Sequence, residues 1–350
     1  MSAQPSATIG RSRYDGFRAT IKAVGTGRRG SRDLEFEEAR EATRALLAGE
    51  VSDAQAGAFL VAMRIKGEAP AELAGIAQAL RDVVETPAPP GDLAVEPTPP
   101  LVACAGAYDG TASSPQLGLA AALAAAACGA RVVIHCGDRL GPKHGVTCAE
   151  VLEALGGPAR PSLDTSAAML ERVGVALVHA GVALPGWSRL AALRDEIGLR
   201  GPLHTAEKLV DYLGATRFVI GHTHGSYSDR ILGALRLLGA ERAIAVRGIE
   251  GSDVLRPGRP AAYQAGGQLE LPERLGMTIE GASGAAESAA LTRAVLGGEE
   301  DGPLAYTVAL SAGVRLYAAD VCDDVMAGAE LAAAALRDGR ATATLEALVR

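Results

Sequence analysis

Five short, almost wholly apolar runs recur beyond residue 100: Leu101 to Ala105, Val132 to His135, Val175 to His179, Phe218 to Ile220 and Ala243 to Val246. Helical patterns fit between them, at 116–128, 147–156, 164–173 and 226–239. A strand that is apolar on both faces needs cover on both faces. Alternation with helices is how a chain supplies that cover, so the runs predict a largely parallel sheet. No strand pattern precedes residue 100.

The earlier part of the chain reads as helix. Leu34, Phe36, Ala39, Thr43, Leu46 and Leu47 fall near helical spacing, and Gly49 suits the end of that helix. Ser52 followed by Gln55 makes a capping box for a second helix, with Ala56, Phe59, Leu60 and Met63 as its stripe and Gly67 as its stop. Pro70 opens a third, carrying Leu73, Ile76, Ala77, Leu80, Val83 and Val84. Between Thr86 and Pro100 stand six prolines, which lock φ and block helix and inner strand alike. The expected organisation is therefore a basic N-terminal arm (1–33), a helical domain (34–86), joined by helices around 186–212, a proline-rich linker (87–100), and an α/β domain (101–350). The fold class is a small N-terminal all-helical domain plus a larger α/β domain with a mostly parallel sheet. The tail from Ala285 to Arg350 reads as mostly helical.

Charge narrows the partners. Lys and Arg number 34 against 41 Asp and Glu, a net charge of −7, so the overall field does not draw nucleic acid. The arm differs: Arg11, Arg13, Arg18, Lys22, Arg28, Arg29 and Arg32 face only Asp15 and Asp33. It is either a solvated terminus or a phosphate-binding arm. The five cysteines are odd in number and contain no C-x-x-C pair, which fits reduced thiols in a cytoplasmic protein. No signal peptide is expected, and Leu117 to Ala130 is too short to span a membrane.

In parallel sheets ligands sit at the carboxyl ends of the strands. The loop after the first strand, Cys104-Ala-Gly-Ala-Tyr-Asp-Gly110, retains Gly106 and Gly110 as a weak phosphate turn. The next loop gathers His135, Asp138, Arg139, Lys143 and His144, an anion site or a solvated turn. His222 and His224 are hydrogen-bonded loop histidines or, with Asp229, a metal pair. Asp253, in Glu250-Gly-Ser-Asp253, is a turn former or a magnesium ligand beside a pyrophosphate.

These residues carry a family likeness. Gly49-Glu-Val-Ser-Asp-Ala-Gln55, Ala62-Met-Arg-Ile-Lys-Gly-Glu68, Ala149-Glu-Val-Leu-Glu-Ala-Leu-Gly156 and Leu237-Leu-Gly-Ala-Glu-Arg-Ala243 resemble the anthranilate phosphoribosyltransferase-like family, glycosyl transferase family 3. The likeness spans about residues 34 to 348. Tyr108-Asp-Gly110, Val146-Thr-Cys-Ala-Glu150, His204-Thr-Ala-Glu-Lys-Leu209 and the basic arm are most similar to its divergent YbiB-like branch.

The resemblance implies a homodimer joined through the helical domains. It implies magnesium-dependent transfer of a phosphoribosyl group from phosphoribosyl pyrophosphate, or a similar phosphorylated ligand, to a nitrogen acceptor. Gly106, Asp109, Gly110, Ser113 and Lys143 would meet the donor, Asp253 the metal, and His135, Arg139 and Arg194 the acceptor. The sequence also departs from the family. The donor loop G-T-G-G-D-G has Ala105, Gly106, Ala107 and Tyr108 before Asp109, and the metal-binding D-E pair is Asp253-Val254. Side chains in that loop occupy space where amides must approach phosphate, so the expected acceptor is not anthranilate. The alternative is a non-catalytic nucleic-acid-binding homodimer on the same scaffold, with phosphate contacts from the arm. A third is a sensor that binds a phosphorylated ligand without turnover.

Overall fold

A computed structural model describes residues 15–84, 99–273 and 284–350. Arg11 and Arg13 of the arm and most of the proline-rich stretch lie outside the described residues. The chain opens with helices α1 (Phe17–Gly25), α2 (Phe36–Leu47), α3 (Asp53–Lys66) and α4 (Pro70–Arg81). Ser52 caps α3 as its spacing predicts: its hydroxyl accepts the Gln55 amide at 3.3 Å, and the Gln55 side chain accepts the Ser52 amide at 3.2 Å.

Strands β1 (Leu101–Ala105), β2 (Arg131–Cys136), β3 (Val175–His179), β4 (Arg217–His222) and β5 (Arg242–Arg247) pair in parallel, in the order β3-β2-β1-β4-β5. Two short antiparallel strands, β6 (Ala262–Gln264) and β7 (Gly267–Gln268), extend the β5 edge. Sequence periodicity does not show them, because two or three residues carry no period. The intervening helices are α5 (Gly118–Ala126), α6 (Cys148–Leu155), α7 (Leu163–Val173), α8 (Ala180–Ala183), α9 (Trp187–Ile197), α10 (Pro202–Glu207) and α11 (Ser226–Leu237). The tail forms α12 (Ala285–Leu296), α13 (Pro303–Ala318), α14 (Val325–Arg337) and α15 (Arg340–Val349).

Alternation along the strands sorts side chains into two cores. Val102, Cys104, Val132, Ile134, Val219 and Ile244 face α5, α6 and α12 to α15. Ala103, Ala105, Val133, Phe218, Ile220 and Ala245 face the other way. Their core is continuous with the helical bundle, through Leu73, Ile76, Leu80, Leu203 and Leu235. Helix α10 packs on α4, and α9 packs on α2 and α3, so the second core seats the bundle on the sheet. β1 leads to β2 on one side and has β4 on the other. The order reverses there, and ligands bind outside the carboxyl ends of strands at such a point.

Candidate active site

The loops after β1, β2 and β3 meet α9 and α10 around a cavity of about 250 Å³. Gly106, His135 and Arg139 line it, with Trp187, His204, Glu207 and Lys208. Burial drives its chemistry. It pushes the Glu207 carboxyl up to about 7 and draws His135 down to about 3 and Lys208 down to about 8. His204 is held well below the ordinary histidine value too, by burial and by the positive charges of Arg194 and Lys208. Both ring nitrogens of His135 and of His204 lack a hydrogen-bond partner, and His135 Nδ1 lies 3.8 Å from Glu207 Oε1. Glu207 accepts from the Tyr212 hydroxyl at 3.1 Å, and Lys208 Nζ donates to the Gly221 carbonyl at 2.8 Å. Buried ring nitrogens without partners are rare in folded proteins and leave hydrogen-bonding capacity unused at the cavity wall.

Tyr108 walls this cavity from a smaller one of about 90 Å³, which Asp109, Arg200, His222 and Glu250 line. Its ring lies 4.9 Å from His204, with the Arg194 guanidinium 5.3 Å and Lys208 Nζ 5.4 Å from its centre. The Trp187 ring also lies against His204, 4.8 Å between ring centres. Cations beside the Tyr108 ring and a cluster of tilted rings make a wall suited to a flat, electron-rich ligand.

The donor-loop residues converge as a group. Gly110, at φ 72, brings the chain so close to Gly145 that a β-carbon would sit 2.3 Å from the Gly145 carbonyl. Asp109 is buried and accepts two hydrogen bonds from Arg200, at 2.8 and 3.0 Å, and Lys143 Nζ stands 3.3 Å away. The Ser113 and Ala112 amides donate to the Glu250 carboxylate, at 2.9 and 3.0 Å. Burial opposes charge on Glu250. Those amides, Lys143 and the Ser114 hydroxyl nevertheless hold its carboxyl below the usual range.

Three expected residues stand differently. Arg194 does not line the main cavity. Its guanidinium donates to the Gly141 carbonyl, and its Nε and second terminal nitrogen are buried without partners beside Tyr108. Arg139 lines the cavity but is held by Glu150 at 2.7 Å. Asp253 is buried and ion-paired to the fully buried Arg315, and Val254, at the family's second acidic position, is buried too. A carboxylate already matched by a guanidinium, with an apolar neighbour, does not fit a magnesium pair. Among the described residues no three His, Cys, Asp or Glu side chains gather as metal ligands. His222 bonds the His224 carbonyl at 3.1 Å and the Ser228 hydroxyl at 3.0 Å. In the basic arm, Arg18, Lys22, Arg28 and Arg29 are exposed, and Arg32 is paired with Glu38 at 2.6 Å.

Arg200, Glu250, Trp187 and Arg315 are functional or structural centres that sequence patterns do not single out. Only Arg315 leaves a signal, a lone cation within the apolar stretch Val308 to Leu316.

A helical bundle seated on a parallel sheet, with a cleft at its switch point, defines a glycosyltransferase scaffold. Residues 18–84 match the glycosyl transferase family helical bundle domain and residues 110–342 its a/b domain. The anthranilate phosphoribosyltransferase of Thermus thermophilus is 36% identical over 324 residues, covering 90% of this chain and 95% of its own. That of Methylobacterium sp. (strain 4-46) is 33% identical over 349 residues, covering 96% and 98%. A crystal structure of the Thermus thermophilus anthranilate phosphoribosyltransferase superposes with a TM-score of 0.80 at 34% identity, covering 95% of this chain and 98% of that one. The Saccharomyces cerevisiae enzyme, solved with PRPP and Mg, shares the fold at TM-score 0.75 and 15% identity, covering 95% and 96%. The chain belongs to the anthranilate phosphoribosyltransferase-like glycosyl transferase family. No helix among the described residues is long and apolar enough to cross a membrane.

Proposed function

We propose that this protein transfers a phosphoribosyl group from a pyrophosphorylated donor to a nitrogen acceptor other than anthranilate, as a cytoplasmic homodimer. The observation that carries the reading is the cavity where Tyr108, His204 and Trp187 cluster as tilted rings beside unpartnered His135, next to the loop of Asp109, Gly110 and Ser113. Transfer at the ribose carbon passes through an oxocarbenium-like state. The protein's work is to align partners and neutralise the leaving pyrophosphate. Lys143, with Lys208 on the cavity side, supplies positive charge. Glu207, poised near neutrality by burial, takes the proton that the acceptor nitrogen sheds. Trp187 and His204, which touch each other on the cavity wall, give a flat acceptor an aromatic surface to lie against.

Magnesium, present in the yeast complex, would be held here by the donor's own oxygens, because Asp253 is committed to Arg315. No step is assigned to it. The odd, unpaired cysteines support the cytoplasmic location, and the family resemblance supports the dimer.

The test pairs phosphoribosyl pyrophosphate with a panel of aromatic and heteroaromatic amines and follows pyrophosphate release. Turnover that falls on the order of a hundredfold in Glu207→Gln supports the reading. Absence of release with every acceptor removes it. A second reading, non-catalytic nucleic-acid binding, is favoured by the exposed cations Arg18, Lys22, Arg28 and Arg29 on and after α1. It requires binding that weakens steeply with salt and is lost when those four are replaced.

A further inference from the structure

Glu250 sits at φ 51, a left-handed conformation that a glutamate adopts only at a cost. Its carboxylate accepts the consecutive amides of Ala112 and Ser113 at 3.0 and 2.9 Å, and Lys143 Nζ lies 3.6 Å from its second oxygen. Two neighbouring amides and a lysine are what a phosphate oxygen seeks. The Thr111 hydroxyl, one residue earlier, is buried with no partner. So the cradle is complete, and the anion in it belongs to the chain.

The turn that carries Glu250 is tied down on every side. Gly248 donates to the His222 carbonyl, Ile249 to Val254, and Ser252 to Ile249, at 3.2, 2.9 and 2.8 Å. Lys143 also donates to the Glu250 carbonyl at 3.0 Å. The backbone therefore stays in place. The side chain is 19% exposed, so solvent reaches it.

We propose that Glu250 is an internal competitor for the phosphate end of the donor, occupying the Ala112–Ser113 amide cradle and leaving it by side-chain rotation when a pyrophosphate enters. The proposal rests on the donor reading of this loop given above. A ligand that needs the open form binds with an apparent affinity reduced by the fraction of molecules open. Removing the carboxylate restores that fraction. Lys143, released from Glu250, then pairs with the ligand.

The experiment is calorimetric titration of inorganic pyrophosphate, without divalent metal, into the wild type, Glu250→Gln and Glu250→Gly. Glycine adopts φ 51 without strain, so the second variant keeps the fold if the first does not. Both Glu250 variants should bind about tenfold tighter than wild type or more. Adding Lys143→Met to either should abolish the gain. Affinity unchanged or weaker in both variants, or no binding by any of the proteins at millimolar pyrophosphate, overturns the proposal. The transferase reading is judged separately, by product. Tighter binding with no product from any acceptor upholds the competitor and removes the transferase. Product from the wild type with equal pyrophosphate affinity in all three proteins does the reverse.

Discussion

Asp253 and Arg315 meet where neither has water to turn to. The carboxylate also lies against Gly106, the first glycine of the donor loop, so the pair supports the floor of the site. Removing one partner of such a pair leaves a lone buried charge. Asp253→Ala or Arg315→Met should each lower unfolding free energy by about 3–5 kcal/mol in urea titrations at pH 7, and the double variant by less than their sum. The partners are 62 residues apart, and no periodicity links them, which is why the sequence points to Asp253 and not to its role. Protonation at the cavity gives a second expectation. Between about pH 4.3 and 6.5 the unfolded chain protonates His135 and His204 and ionises Glu207. The native state does the opposite, since burial lowers both histidines and raises the glutamate. From these three groups the unfolded state binds one more proton, so stability should rise with pH by about 1.4 kcal/mol per unit across that window. Glu207→Gln removes the opposing group, and the slope should approach twice that value. Chemical denaturation at several pH values measures both.

At the scale of elements, local chemistry was legible wherever one residue or one cap decides an end. The Ser52–Gln55 and Thr147–Glu150 boxes start α3 and α6. Asp164, a residue type that suits a cap, stands inside the first turn of α7. Ser162 caps it instead, accepting the Thr165 amide at 3.1 Å. Both residues suit a cap, and packing on β3 decides between them. The crossing of α13 and α14 was hidden for another reason. It depends on Gly313 and Gly328 facing each other, and a β-carbon on Gly313 would lie 2.4 Å from the Val325 carbonyl. Gly313→Ala should force the helices apart and cost about 1–3 kcal/mol, read as a lower urea midpoint at unchanged m-value.

As a molecule, the chain carries a division in its sequence that its packing closes. The helical and α/β parts were legible from the change in periodicity near residue 100, and the cleft from the parallel sheet that periodicity implies. What the pattern does not contain is the join. Arg81, at the end of α4, donates to the carbonyls of Leu209 at 2.8 Å and Leu238 at 3.3 Å and pairs with Asp211 at 3.1 Å. One core runs beneath these contacts from the bundle to the sheet. The two parts should therefore unfold together. Fluorescence of Trp187, the sole tryptophan, should be lost at the same urea concentration as far-UV ellipticity. The guanidinium beside Asp253 reaches further, into how such a protein lives with its surroundings. A positive charge written into the polypeptide arrives with every copy at synthesis. No chelator strips it, and no competing ion takes its place. That permanence also removes a handle for control, because a cell that runs short of free magnesium leaves this part of the fold as it was.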